Sequence, residues 1–341
     1  MRTPPRAAMP GGVLFQAGAM SGLDRWWLPL CAAADLGEQQ VLSGQHFDTP
    51  LAMWRSDGVV SGTVDRCPHR GARLSLGRVE QGTIECPYHG WRFAGDGRCV
   101  RIPSAPGFAP GDSHRASAWR VREAHGLLWA AGAAAGDDEP FAPPALDTLP
   151  ATRVLCGPFD VATSAPRVVE NFLDTAHFGL VHEGGLGDRN HLQVPDYRVV
   201  ADGFGRPGVP HYRAWQPQAS SAARGGAWVD YAYQLLSPLS ALLQKHSDGT
   251  MPGEAYALWT CPSGHESCRV WFTIFSADAQ ADAHTLREFQ QRIFAQDRPV
   301  LESQRPRQLP LSGGEAFCAA DRFSAAYRRW LLALGFDYGC C

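Results

Sequence analysis

Between Trp26 and about Gly132 the chain sets short apolar runs between clusters of Gly, Pro and Asp: WWLPLCA, LAMWRS, GVVSGTVD, GTIECP and GLLWAAG. Apolar stretches of this length bounded by turn formers predict a compact β module. A breaker-rich stretch, GAAAGDDEPFAPPALDTLP over 132–150, predicts a linker. The period then changes. An amphipathic helix is predicted over 166–181, then alternating strands near 195–203, 210–216, 227–236, 254–261 and 268–276, and helices near 283–298 and 316–334. Strands followed by helices, without βαβ alternation, predict an α+β fold: an N-terminal β domain, then a domain whose antiparallel sheet is flanked by helices. The segmentation is a disordered lead-in over 1–22, a β domain over 23–135 and an α+β domain over 150–341.

The chain's 341 residues are enough for two such domains, and 45% hydrophobic against 19% charged residues describes a folded globular protein. With 31 basic and 34 acidic residues the net charge is -3, which argues against non-specific nucleic-acid binding. No stretch approaches the roughly 18 apolar residues of a membrane-spanning helix. Pro10, Gly11 and Gly12 interrupt the apolar core that a secretory leader needs, and Met20 is an alternative start just before LDRWWLPLC. Ten scattered cysteines without a leader point to free thiols in the cytoplasm rather than a disulfide framework.

The first chemical constellation is CPHRGARLSLGRVEQGTIECPYHGW, which presents Cys67, His69, Cys86 and His89 from two loops. Two sulfur and two nitrogen donors suit a tetrahedral zinc or a [2Fe-2S] cluster in which two His replace two Cys on one iron. The single residue within the CxH pair fits zinc poorly. CPHRG with CPYHGW resembles the Rieske domain of the non-haem iron oxygenase alpha subunits. The resemblance implies that Cys67 and Cys86 hold the buried iron, and His69 and His89 the outer, reducible one.

The second lies in RVVENFLDTAHFGLVH. On a helix, Val169, Leu173, Ala176, His177 and Leu180 form one apolar stripe that turns His177 inward. His182 follows beyond Gly179, where a loosened turn brings both rings to one point. Two imidazoles and a carboxylate make the facial triad of non-haem Fe(II) oxygenases. In TLREFQQRIFAQDRPVLESQ, the apolar positions Leu286, Phe289, Ile293 and Phe294 lead at helical steps to Asp297, a core-facing acid that is costly unless paired or metal-bound. A salt bridge to Arg298 is the ordinary alternative. NFLDTAHFGLVH with QDRPVLESQ resembles the catalytic domain of the same oxygenases, and the resemblance makes Asp297 the third iron ligand. Gln290 and Phe294 lie seven and three residues before Asp297 on its face, and are candidates for the substrate pocket. Asp174, three residues before His177, is placed to orient that imidazole. The resemblance adds that it bridges His177 to His89 of a neighbouring subunit.

Together these features predict a Rieske oxygenase that uses dioxygen to hydroxylate or oxidatively demethylate a small cyclic or aromatic substrate. Its electrons come from NAD(P)H through a separate reductase, with or without a ferredoxin, since no GxGxxG follows a strand. The length is similar to the homotrimeric monooxygenases, among them vanillate and dicamba O-demethylases, caffeine N-demethylases and saxitoxin-pathway hydroxylases. The rival reading is a Rieske electron-transfer protein whose second domain is a scaffold. Arg66, Arg70, Arg73, Arg78 and Arg92 crowd the cluster motifs and could steer an acidic donor. Glu170, Glu183 and Glu302 are read as surface or supporting acids, and Cys261 and Cys268 as thiols facing each other across a hairpin.

Overall fold

Two-residue alternation in both halves of the chain builds two large antiparallel sheets, and the breakers between runs become their turns. A computed structural model describes residues 22–133, 135, 149, 152–217, 226–246, 253–277 and 282–341. The expected lead-in, apart from Gly22, and most of the expected linker lie outside the described residues.

In chain order the strands of the first half are β1 (Leu28–Ala32), β2 (Val41–His46), β3 (Thr49–Ser56), β4 (Val59–Val64), β5 (Arg78–Glu80), β6 (Thr83–Glu85), β7 (Arg92–Phe93), β8 (Cys99–Arg101), β9 (Ala118–Ala124) and β10 (Leu127–Ala131). Six form a sheet in the order β1-β10-β9-β4-β3-β2, and β5 to β8 form a small separate sheet. That small sheet carries its own apolar core, in which Trp54, Leu74, Ile84, Phe93 and Ile102 surround Cys67 and Cys86.

The second half contributes β11 (Thr152–Val161), β12 (Val200–Ala201), β13 (Pro207–Gln216), β14 (Ala227–Ser237), β15 (Ser240–His246), β16 (Glu254–Gly264) and β17 (Ser267–Ser276), in the order β11-β17-β16-β15-β14-β13-β12. All neighbours are antiparallel, as the α+β reading expects. The first and last large sheets share one core. Trp129 of β10 meets Trp259 of β16 edge-on, with ring centroids 5.2 Å apart.

Among the described residues four α-helices cover the second sheet and its ends: α1 (Ala165–Leu173), α2 (Phe178–Val181), α3 (Ala283–Ser303) and α4 (Arg322–Leu334). The continuous helix expected over 166–181 is broken. Asp174 adopts extended backbone (ψ 135°), and its carboxylate accepts from the Ala176 N–H at 2.9 Å, a local turn that competes with the helical ladder. Leu180, expected inside, is 51% exposed as a result. Conversely, α3 runs past Pro299 to Ser303, because Leu301 is anchored in the core and the Glu302 carboxylate accepts from the Ala162 N–H. The strand expected near 195–203 shrinks to Val200–Ala201. In the last hairpin Cys261 opposes Arg269 and Cys268 opposes Pro262, so the two thiols are offset by one residue and do not face each other.

Candidate metal centres

The two cluster loops are built alike. Cys67 accepts from the Gly71 N–H and Cys86 from the Gly90 N–H at 2.9 and 3.1 Å, and each glycine takes positive φ, 74° and 67°, which a side chain would oppose. Each loop thereby buries its cysteine and projects its histidine. Cys67 and Cys86 are buried, His89 is half-buried and His69 is exposed. The two imidazoles lie edge to face, 4.7 Å between centroids, and His69 stacks on Trp91 at 4.4 Å with the planes 4° apart. Asp65 ties down the base of the first loop by accepting from Ser75 N–H and Oγ and from Arg73 Nε at 2.7, 2.6 and 2.9 Å. Burial works against its ionisation, but the Ser75 and Arg73 bonds outweigh it and hold the carboxyl below its usual range.

The donor set fits a two-iron cluster better than one zinc ion. Among the described residues, only His177, His182 and Asp297 bring three ligand atoms within 4.8 Å of one another. The four Rieske-type side chains instead divide into a thiol pair and an imidazole pair, as two metals require. Burial pushes the Cys67 thiol up to about 11, partly offset by the His69 and Arg70 N–H groups, so a thiolate there calls for an adjacent cation.

The second centre is assembled by the broken helix and α3. His177 sits at the N-terminal boundary of α2 and His182 at its C-terminal boundary, so the short α2 spaces the two rings 5.1 Å apart. His177 Nδ1 bonds Asp174 Oδ2 at 2.8 Å, and His182 Nδ1 bonds Gln296 Oε1 at 2.9 Å. With both Nδ1 protons committed to oxygen, both Nε2 atoms present lone pairs. They face Asp297 Oδ1 at 3.5 and 3.1 Å, and that oxygen is buried without a hydrogen-bond partner. With both imidazoles neutral, three electron-rich atoms converge here, and they repel one another unless a cation lies between. Two imidazoles and one carboxylate are the donor set of non-haem iron.

A pocket opens on this centre. Its ceiling is α1 and α3, with Phe172, Gln290 and Phe294, and its floor is the inner face of β14 to β17. Gln290 and Phe294 line this pocket together with His177, His182 and Asp297, and both are buried. Asp174 reaches His177 although the two share no helix. The arginines near the cluster divide differently from the expectation of a free patch: Arg73 pairs with Asp65, and Arg78 and Arg92 both pair with Glu85. Only Arg66 and Arg70 of the five have no ion pair among the described residues. Glu170 and Glu302 serve structural bonds, to Arg328 and to Arg298 with Ala162 N–H.

A Rieske [2Fe-2S] domain matches residues 26–111, and the vanillate O-demethylase oxygenase C-terminal domain matches residues 161–335. The chain belongs to the Rieske non-haem iron oxygenases. Methylxanthine N1-demethylase NdmA of Pseudomonas putida is 28% identical over 325 residues, covering 92% of this chain and 89% of its own. The dicamba O-demethylase oxygenase component of Stenotrophomonas maltophilia is 28% identical over 294 residues, covering 81% and 86%. The solved structure of Pseudomonas putida NdmA with caffeine shares the fold at a TM-score of 0.78 and 24% identity, over 92% of this chain and 91% of that one. As a Rieske oxygenase the protein uses a [2Fe-2S] cluster and a mononuclear iron, which removes the zinc reading and the reading as a bare electron carrier.

Three features of this Rieske oxygenase escaped the sequence. Gln296 orients His182, and its only signal is adjacency to Asp297. Trp91 stacks on His69, a partner hinted at by the CPYHGW run. The tyrosines and the lysine of the pocket floor stood in plain alternation in AWVDYAYQLLS and SALLQKH, but nothing in the strands indicated which face the pocket would take.

Proposed function

We propose that this protein is the terminal oxygenase of a multicomponent system that oxidatively demethylates a small N-methyl or O-methyl ring compound. Cys67, Cys86, His69 and His89 hold the cluster, and His177, His182 and Asp297 hold the mononuclear iron. The observation that carries the reading is the apolar, aromatic-walled pocket opening directly on those three side chains. Bound there, the metals supply single electrons and the reductive activation of dioxygen. The chain's own residues do the rest. Asp174 and Gln296 hold the two imidazoles in one tautomer, Phe294 and Phe172 give a flat ring its walls, and Gln290 offers a polar contact. The balance is one dioxygen, one NAD(P)H and one proton consumed per methyl group released as formaldehyde, with water formed.

Electrons enter from a separate NAD(P)H-dependent reductase, directly or through a ferredoxin. A head-to-tail homotrimer is supported by Asp174, which keeps 29% of its side chain exposed in a surface recess that also holds the exposed apolar residues Val300 and Phe317. None of the ten cysteines is joined in a disulfide, which supports a reducing, cytoplasmic setting. No described helix is long and apolar enough to cross a membrane. The test is reconstitution with a Rieske reductase and NADH against methylated xanthines and methoxylated aromatic acids. Formaldehyde formed in step with dioxygen uptake is expected. Cluster reoxidation indifferent to every substrate, with no product, would contradict the reading.

A further inference from the structure

The pocket floor holds the chain's only lysine. Lys245 follows Leu243 on one face of β15, and the register places Tyr231 and Tyr233 of β14, and Glu254 and Tyr256 of β16, beside these two on that face. Lys245 is 8% exposed, and it lines the same pocket as His177, His182 and Asp297. Among the described residues its ammonium makes no hydrogen bond and no ion pair. It lies instead 4.8 Å from the ring centroid of Tyr256 and 5.7 Å from that of Tyr231. Glu254, its neighbour across the strands, is committed elsewhere, since one of its carboxylate oxygens accepts from the Tyr256 hydroxyl at 2.8 Å. A second donor stands close by in register. The Tyr233 hydroxyl lines the same pocket, is buried and has no partner.

A cation and a hydroxyl that are this buried and unbonded are costly in an apolar setting. Burial weakens the hold of Lys245 on its proton relative to an ordinary lysine, and the charge of Glu254 works the other way. Both donors gain a partner if the substrate brings an oxygen anion to the floor. We propose that Lys245, assisted by the Tyr233 hydroxyl, is the substrate anchor of this oxygenase and selects ring compounds that carry a carboxylate. The aromatic rings around the ammonium hold it in place without consuming its hydrogen-bonding capacity. The anchored end then lies on the floor, and the rest of the ring extends into the space that opens on the three ligands. This assignment rests on the demethylase reading of the same pocket.

The test measures binding, which needs no turnover. Isothermal titration of the iron-loaded protein compares the three methoxybenzoates with the corresponding methoxybenzamides, for the wild type, K245M and Y233F. Unchanged visible cluster absorption and melting temperature establish that the variants are folded. At least one carboxylate should bind about 10- to 100-fold more tightly than its amide, and K245M should abolish that preference while retaining affinity for the amide. Y233F should cost the carboxylate about 3- to 10-fold. Equal affinities, no carboxylate binding, or a preference that survives K245M would overturn the anchor. Loss of preference in K245M combined with no formaldehyde from any bound probe would count against the demethylase reading and leave the anchor standing.

Discussion

Asp297 shows how the position of a single side chain in a hydrophobic pattern announces chemistry. A carboxylate on the apolar face of a helix has to be paired, and Asp297 Oδ1 is buried against two imidazoles without a hydrogen-bond partner. The residues that hydrogen-bond His177 and His182 were less legible. Asp174 could be found because it lies three positions from His177, although the contact comes from a turn and not from a helix. Gln296 could not, since an amide beside an acid on a helix is unremarkable until its partner is placed. Both should matter to the site. Asp174→Asn keeps the shape but loses the charge and the strong acceptor, so turnover should fall about 10- to 100-fold while both metal centres persist. Single-turnover oxidation of the pre-reduced variant, with substrate and dioxygen present, reads this directly, and a near-normal rate would remove Asp174 from the electron path. Gln296→Leu frees the His182 tautomer and should weaken retention of the mononuclear iron by a similar factor, measured by competition with a chelator.

At the scale of elements, type was more legible than extent. The alternating runs gave the sheets because one face of each strand is buried, and the long apolar period of α3 survived even a proline. The end of α1 was misread because the apolar stripe continues past Asp174 while the backbone does not: the Asp174 side chain satisfies the Ala176 N–H that the helix would have used. That break leaves α2 as a single short element with His177 at one boundary and His182 at the other. The loop after α2 folds back so closely that a Cβ on Gly187 would collide with the backbone of Phe178 and Gly179. Gly187→Ala should therefore displace His182 and lose mononuclear iron, with the Rieske spectrum intact. Iron analysis beside the visible spectrum checks this, and a full iron complement in the variant would show that the loop tolerates the shift.

Across the whole molecule Cys67 and Cys86 sit in a small core of their own, whereas the main core runs through both large sheets. Cys67→Ser should thus abolish the visible cluster absorption and leave the main thermal transition in place. The ends of the catalytic half are tied by a charge network: Arg328 bonds Glu170 at 2.6 and 2.7 Å and Glu315 at 2.5 Å, and Arg167 bonds Glu315 at 2.7 Å. Burial opposes the ionisation of Glu315, but the bonds from Arg167 and Arg328 outweigh it and hold its carboxyl below the ordinary 4.5. A depressed acid stabilises the fold above its unfolded value, and that contribution fades as pH drops below about 4.5 toward the folded value. Glu315→Gln should flatten the loss of urea resistance as pH falls below about 4.5, and leave the resistance above that pH without a slope of its own. None of these long-range pairs was visible in the sequence, where Glu315 and Arg167 lie far apart.

His177, His182 and Asp297 are proposed to hold an iron apart from the cluster, with oxygenation taking place there. Iron and acid-labile sulfide counted per chain, in the wild type and in Asp297→Ala, test it most directly. Three irons and two sulfides are expected in the wild type, and two irons, two sulfides and an unchanged Rieske spectrum without product formation in the variant. Three irons and full activity in Asp297→Ala would contradict it.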